Sequence, residues 1–388
     1  MLKAYEYRLY PNKEQVILLA KHFGCNRFIY NWALAKRIEQ YEKTGKSISK
    51  FELNKMITQL KKEEKTKWLS EVNAQSLQQS IQNMETAYIN FFRNKKGFPK
   101  FKSKKSHRYV YRIPQGIKIN FETNKIFLPK LGEVKIRVDR QFQGEIKSAT
   151  VKQVPSGKYF VSVLVEDGIC EPDKVELNKD KSIGIDLGLK HFAILSNGIK
   201  IENPKTLRNN LAKLKVLQRR LSKKVKGSNN RNKARIRVAR QHEKIANIRK
   251  DFLHKLSTNI ISDNQVDTIC LETLNVSGMI KNHKLSQAIS DVSWSEFVRM
   301  LEYKANQRGK NILRIGQFEP SSRLCTCGYI NRDLTLSDRE WECPICHTIH
   351  DRDILAANNI KNIAFLDINK KYHLSGLGKS VELVEVLA

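Results

Sequence analysis

Residues 2–10, Leu-Lys-Ala-Tyr-Glu-Tyr-Arg-Leu-Tyr, alternate with the two-residue period of a strand, and Pro11-Asn12 ends it. From Lys13 to about Phe92 the period becomes helical. Its clearest stretch is Leu77, Ile81, Met84, Tyr88 and Phe91, spaced 4, 3, 4 and 3, one stripe of a helix. Opposite it, Gln75, Gln79, Gln82 and Thr86 make an uncharged polar face. Such a face is ordinarily only solvated; the sharper alternative is a row of amides that reads base edges, since glutamine pairs bidentately with adenine. Residues 91–105 then interleave aromatics with lysines around a Gly/Pro break. That composition suits phosphates and stacked bases, with Lys100, Lys102 and Lys104 as candidate contacts.

Short β-type runs follow at 117–121, 133–138, 148–152 and 159–165, with Pro155-Ser-Gly157 as the turn between the last two. Their spacing predicts a small barrel that recruits the N-terminal strand across the helical insertion. A second region begins near Ser182. Ile183-Gly-Ile-Asp-Leu-Gly188 reads as a buried strand and Phe192–Leu195 as its hairpin mate. Two helical stripes come next, Leu207, Leu211, Leu214, Leu217 and Leu221, then Val238, Ile245, Ile248, Phe252, Leu256 and Ile260, joined by a loop at 227–232. A strand at 268–273, a helix marked by Trp294, Phe297, Leu301 and Ala305, and a strand at 311–315 complete an alternation that argues an α/β domain.

Composition adds the partner. With 388 residues, 40% hydrophobic and 28% charged, the chain is long enough for two to four domains of ordinary globular make-up. Its charge is unusual: 71 Lys+Arg against 39 Asp+Glu, net +32. An excess that large repels itself unless a polyanion neutralises it, so nucleic acid is the expected partner. An anionic membrane surface is the rival, but no basic amphipathic anchor stands alone. Between Lys205 and Lys250 there are 17 Lys+Arg and one acid, Glu243. That is too lopsided for a merely solvated face and reads as a phosphate track, with Arg231, Lys233, Arg235 and Arg237 as candidate contacts. The apolar run Val16–Ala20 is too short to span a membrane and lacks a signal-peptide layout, so a cytoplasmic protein is expected. Of seven cysteines, four cluster near the C-terminus, while Cys25, Cys170 and Cys270 scatter and read as core filler. This is the usage of a reducing compartment with one metal site.

Three carboxylates carry the candidate chemistry. Asp186 and Glu272 each end an apolar strand, and Asp353 opens the helix-like run Ile354–Ile360. An acid in such a frame must be paired, protonated or metal-bound. Any one alone is more often a helix cap or turn residue, and spacing does not reveal whether the three converge. Convergent, they are hard oxygen ligands suited to two Mg²⁺ ions in phosphodiester cleavage. Cys325, Cys327, Cys343 and Cys346, with 15 residues between the pairs, offer a tetrahedral thiolate site for structural Zn²⁺. The C-x-C spacing of the first pair strains simultaneous chelation, leaving His347 or His350 as substitute ligands and free thiols as the alternative.

Several segments then carry a resemblance: Phe98-Pro-Lys-Phe-Lys-Ser-Lys-Lys, Gly184-Ile-Asp-Leu-Gly-Leu-Lys, Leu271-Glu-Thr-Leu-Asn-Val-Ser-Gly-Met, Leu301-Glu-Tyr-Lys-Ala, Pro320-Ser-Ser, the run Asp333–Cys343 and His350-Asp-Arg-Asp. In this order, over nearly the whole chain, they resemble the TnpB family of transposon-encoded RNA-guided nucleases, relatives of the compact type V CRISPR effectors. The resemblance implies a multidomain α+β protein. An N-terminal wedge β-barrel would occupy 1–10 and 106–178, with a helical recognition lobe inserted at 11–105. An RNase H-like α/β nuclease domain of RuvC type would occupy 179–316 and 353–388, containing the basic helical pair 205–261 and a zinc-ribbon insertion at 317–352.

The resemblance also implies Asp186, Glu272 and Asp353 as the Mg²⁺-binding catalytic triad, with Asp353 rather than Asp351 because the family's acid is the second in Asp-Arg-Asp. One protein per guide RNA would cut double-stranded DNA beside a short motif, with base pairing supplying most specificity. Gln75 and Gln79 match positions that contact that motif in the family. The chain departs from the family at Cys325-Thr-Cys327, where C-x₂-C is usual, at Leu355, often Asn, and at Thr273, commonly Asp. The alternatives are an RNA-guided DNA-binding regulator without cleavage, against which the three intact acids weigh, and a compact CRISPR effector. A direct transposase is less favoured, since no tyrosine or serine recombinase constellation is visible.

Overall fold

Pro11 stops β1 (Leu2–Tyr10), and Asn12 starts α1 (Lys13–Thr44) with a reciprocal cap: its side chain accepts from the Gln15 N–H at 2.8 Å, and its own N–H donates to Gln15 Oε1 at 3.1 Å. Gly45, at φ +65°, ends the helix in the left-handed conformation that a side chain disfavours. This computed structural model describes residues 1–106, 109–335 and 337–376. It falls into two compact units, 1–170 with 235–240, and 171–234 with 241–388. The nuclease-domain expectation for 377–388 lies outside the described residues.

In the first unit α1 serves two cores. Leu19 and Phe23 in its first half pack on the sheet, while Cys25, Ile29, Tyr30, Ala33 and Leu34 pack against α2 (Lys50–Leu60) and α3 (Ala74–Arg93). The stripe read on α3 is buried at Leu77, Ile81, Met84 and Tyr88. Strands β2 (Tyr109–Ile113), β3 (Lys118–Asn120), β4 (Lys125–Leu128), β5 (Gly132–Arg137), β6 (Glu145–Gln153) and β7 (Tyr159–Glu166) follow. The β6–β7 turn is built at Pro155-Ser-Gly157, with Gly157 at φ +89°. The N-terminal strand is recruited as expected: β1 lies between β7 and β5, antiparallel to both.

The expected barrel is not closed. The strand order is β2-β6-β7-β1-β5-β4-β3, so β2 and β3 are edges with one hydrogen-bonded neighbour each. The physical reason lies in what covers the sheet. Phe23 and His22 of α1 pack on Tyr111 of β2, with ring centroids 5.6 and 4.9 Å apart, and a helix replaces the strand pairing that closure requires. The residues facing this core, among them Tyr7, Val134, Val151, Val161 and Val163, alternate along their strands and are fully buried.

The second unit is a five-stranded sheet in the order β10-β9-β8-β11-β12. Its strands are β8 (Ser182–Leu187), β9 (His191–Leu195), β10 (Lys200–Glu202), β11 (Thr268–Glu272) and β12 (Asn311–Ile315). β8, β11 and β12 run parallel, and β9 and β10 fold back antiparallel. Between them lie α4 (Thr206–Ser222), α5 (Asn229–Ser262), α6 (Val276–Met279), α7 (Ser286–Val292) and α8 (Trp294–Gln307). The period of 2 sorts the strand residues. Ile183, Ile185, Ile269 and Leu271 pack with α5, α7 and α8, whereas Cys270 and Ile315 face α9 (Arg352–Gly376). A small hairpin, β13 (Glu340–Glu342) with β14 (Ile349–Asp351), leads directly into α9. Of the scattered cysteines, Cys25 and Cys270 are buried as expected, but Cys170 is exposed, in the segment that follows β7.

Candidate active site and metal centre

The strand register brings two of the acids side by side. Leu271 lies opposite Ile185 in the parallel pair β11/β8, so the next positions, Glu272 and Asp186, leave the sheet together. Both share the face of Gly184, against which α9 packs. A Cβ on Gly184 would sit 1.9 Å from the carbonyl oxygen of Ala357, so only glycine admits the helix this close. From Gly184 to Asp186 is two strand residues, about 6.6 Å, and from Ala357 back to Asp353 is about one helical turn, about 6 Å. With α9 running against β8, the third acid arrives over the first.

The electrostatics record this meeting. Asp186 is pushed up to about 7, first by burial and then by the negative charges of Asp353 and Glu272, with Arg352 opposing. Burial also pushes Glu272 up. Asp353 is held by Arg339, whose guanidinium lies 3.5 Å from Oδ1. Asp351 does a different job: its Oδ1 accepts from the backbone N–H groups of Asp353 at 3.0 Å and Ile354 at 3.1 Å, capping α9. Burial works to raise Asp351, but its ion pair with Lys200 and these N–H groups prevail and hold it below the usual carboxylate range. Arg352 donates to the carbonyls of Thr335, at 2.7 Å, and Asp338, at 3.3 Å, tying the segment before β13 to the start of α9.

The four clustered cysteines come together despite the short first spacing. Their sulfurs all lie within 4.8 Å of one another. Cys325 to Cys346 is 3.5 Å and Cys327 to Cys343 is 3.6 Å, close to the ~3.8 Å between thiolates around a tetrahedral ion with Zn–S of about 2.3 Å. Gly328, at φ +94°, turns the chain directly after Cys327, and its N–H donates to the Cys325 carbonyl at 3.0 Å. His350 Nε2 lies 3.0 Å from Cys325 Sγ, outside the four-sulfur group, whereas His347 turns to Glu342 at 3.0 Å. Leu355 packs beneath this cluster with Cys325, Cys343 and Trp341. Asn359 donates to the carbonyls of Ser321 and Leu324, tying the segment that leads into Cys325 to α9.

The remaining sequence candidates divide. Lys100 and Lys104 are exposed, and Lys233 and Arg237 are exposed on α5, with Arg235 half-buried. Arg231 is engaged instead: it donates to the carbonyls of Leu221 at 3.1 Å and Lys224 at 2.8 Å, at the C-terminal end of α4. Lys102 is folded back, its ammonium 3.7 Å from the centre of the Tyr30 ring, and burial pushes it down to about 8. Gln75 and Gln79 are half-buried and their side-chain amides make no hydrogen bond within the described residues, while Gln82 accepts from Lys50 at 3.5 Å. The residues that composition and spacing did not single out are Gly184, Lys200, Arg339 and Arg352. Three of them lie inside motifs already read, Gly-Ile-Asp, the run Asp333–Cys343 and Asp-Arg-Asp, and Lys200 becomes visible only through its contact with Asp351, distant in sequence.

Comparison with known proteins supplies the family. Residues 161–283 match a family described as a probable transposase, residues 294–360 a Cas12f1-like TNB domain, and residues 1–46 a helix-turn-helix domain. In this chain 1–46 form one strand followed by one continuous helix. A protein from Streptomyces pristinaespiralis named a putative RNA-guided DNA endonuclease is 40% identical over 92% of this chain and 88% of its own length. The putative RNA-guided DNA endonuclease InsQ of Escherichia coli K12 is 34% identical over 92% of this chain and 91% of its own. Among solved structures, a Cas12f1–sgRNA–target DNA complex aligns over 93% of this chain and 99% of the other, with 16% identity and a TM-score of 0.49. Among the described residues, no helix is long and apolar enough to cross a membrane.

Proposed function

This chain belongs to the TnpB family of transposon-encoded RNA-guided DNA endonucleases, and we propose that it cuts double-stranded DNA beside a short motif chosen with a guide RNA. Hydrolysis occurs at Asp186, Glu272 and Asp353 in a RuvC-type domain. The observation that carries this reading is the convergence of three carboxylates. Asp186 and Glu272 leave paired strands side by side beneath the start of α9, no cation pairs with either among the described residues, and Asp186 is raised first by burial and then by its two acidic neighbours. Such a donor set fits a hard divalent cation, which replaces the missing charge. Two Mg²⁺ ions, when bound, would supply charge stabilisation at the attacking and leaving oxygens. The protein's own part is to fix the acids. Paired strand ends hold Asp186 and Glu272, the Asp351 cap holds the first turn of α9, and Gly184 sets the depth at which Asp353 is presented.

The four cysteines fit structural zinc, and β14 passes that rigidity straight into α9. The basic run on α4 and α5 and the amide row on α3 serve the guide and the DNA. One protein acts with one guide RNA, in the cytoplasm. The domain limits follow the sequence reading: wedge at 1–10 and 106–178, recognition lobe at 11–105, nuclease at 179–316 and 353–388, ribbon at 317–352.

The test has two steps. RNA that co-purifies with the protein is sequenced, and a target library built from it is challenged with the wild type and Asp186→Ala. The expected result is cutting by the wild type alone, with guided DNA binding kept by the variant. Cutting by Asp186→Ala sinks the triad, and a wild type that carries RNA and binds its target without cutting favours the guided-binder reading.

A further inference from the structure

Within the first unit, α1, α3, the 100–106 connector and strands β2 and β6 enclose an open cleft of about 780 Å³. Its charge is one-sided. Arg27, Lys100, Lys102 and Arg112 line it, and among the described residues no aspartate or glutamate does. Elsewhere in this unit cations find acids, as in Lys3 with Asp167, Arg37 with Glu85 and Lys152 with Glu6. In the cleft, Arg27 and Lys100 have no hydrogen-bond or ion-pair partner within the described residues, and Arg112 reaches only Ser148 Oγ at 3.1 Å. A set of neighbouring cations without counter-charge stays folded at a cost that an incoming anion removes.

The cleft's other components favour a nucleotide over a bare anion. Phe101, 57% exposed between Lys100 and Lys102, offers a free aromatic face at the mouth. Asn83 extends the i, i+4 row of Gln75 and Gln79 along α3 into the cleft, and its amide makes no hydrogen bond among the described residues. Deeper in, Asn26 and Ser80 form a neutral polar wall, bonded to each other at 2.7 Å. Cations for a phosphate, a ring for stacking and a free amide for a base edge are the elements of single-strand recognition.

We infer that this cleft holds one unpaired nucleotide, its phosphate on Arg27, Lys100 and Arg112 and its base against Phe101 and Asn83. The inference rests on the proposed RNA-guided function and adds to it a place where a strand is held out of its duplex. The nucleotide comes from either the guide RNA or the target DNA, and the two sources separate in the test.

Arg27→Gln and Phe101→Ala remove groups that have no hydrogen-bond, ion-pair or ring partner among the described residues. Arg93→Gln and Phe92→Ala, an exposed arginine and a 72% exposed ring outside the cleft, make the same chemical changes as controls. Affinity is measured in two arms, guide RNA for the RNA-free protein and target DNA for the RNA-loaded protein. The cleft variants are expected to lose roughly five- to fiftyfold in one arm and the controls less than about twofold, with Arg27→Gln lowering the salt slope by about one. Loss in the RNA arm assigns the nucleotide to the guide, and loss in the DNA arm assigns it to the target. Cleft variants equal to wild type or to their controls in both arms overturn the inference while leaving the function standing. A wild type that binds neither RNA nor guided DNA overturns the function itself, and the occupant with it.

Discussion

The carbonyl oxygen of Ala357 occupies the space where a side chain of residue 184 would begin. A Cβ there would lie 1.9 Å from that oxygen and 3.0 Å from its carbon, and both belong to helix backbone that cannot rotate away. Gly184→Ala is therefore expected to push α9 off the sheet and carry Asp353 with it. Cleavage should fall at least a hundredfold and the melting temperature by several degrees, while guide RNA binding persists. A Gly184→Ala protein with wild-type cutting would show that α9 need not sit this close.

Acid titration offers a second handle. Burial and two neighbouring acids raise Asp186 to about 7 in the folded protein, above its ordinary 3.8. The folded state therefore prefers the protonated form, and without divalent ions stability declines as pH rises from about 4 through about 7, by at most about 4 kcal/mol. In EDTA, Asp186→Asn should melt above wild type at pH 8 and close to it at pH 4. Adding Mg²⁺ should narrow the gap at pH 8. Equal melting of both proteins at all pH values would contradict the crowding of the three acids.

Disrupting the cysteine cluster should act on Asp353 at a distance. Cys343→Ser, fully buried at a sulfur that closes the cluster, is expected to lose zinc and most cleavage while keeping RNA. Zinc content by elemental analysis and cutting in excess Mg²⁺ are the paired measurements. Full activity in zinc-free protein would separate the cysteine cluster from the placement of α9.

The basic helices should not respond uniformly. Lys233 and Arg237 are exposed, so neutralising them should weaken nucleic-acid binding and flatten its salt dependence. Arg231 bonds two carbonyls at the end of α4, so Arg231→Gln should instead cost about 1 kcal/mol of stability with a smaller change in salt slope. Identical salt effects from both variants would assign Arg231 to the phosphate track as well.

The sequence made some of this legible and hid the rest for identifiable reasons. Asp186 and Glu272 stood out because a carboxylate ending an apolar strand is costly without a purpose, a local signal. Asp353 stood out as the acid opening a helix-like run, but choosing it over Asp351 needed the resemblance, since position within a motif does not say which acid caps and which faces the sheet. The open edges β2 and β3 were not visible, because closure depends on pairings across the whole sheet and on Phe23 and His22 arriving from a helix. Arg231 and Lys102 looked like phosphate contacts because composition counts charges without showing which carbonyl or ring already engages them. The cysteine spacing looked too short, and the turn at Gly328 reconciles it.

The double duty of α1 has a consequence for how this protein can change. Each residue inserted into a helix rotates everything beyond it by about 100°. One extra residue near Gly24 would leave Leu19 and Phe23 seated on their strands and swing Ile29, Tyr30 and Leu34 away from α2 and α3. Substitution can therefore diversify this helix, but insertions and deletions there are closed to it. Length variation among relatives is expected to collect in the loops on either side, making α1 the fixed ruler that spaces the sheet from the α2–α3 core.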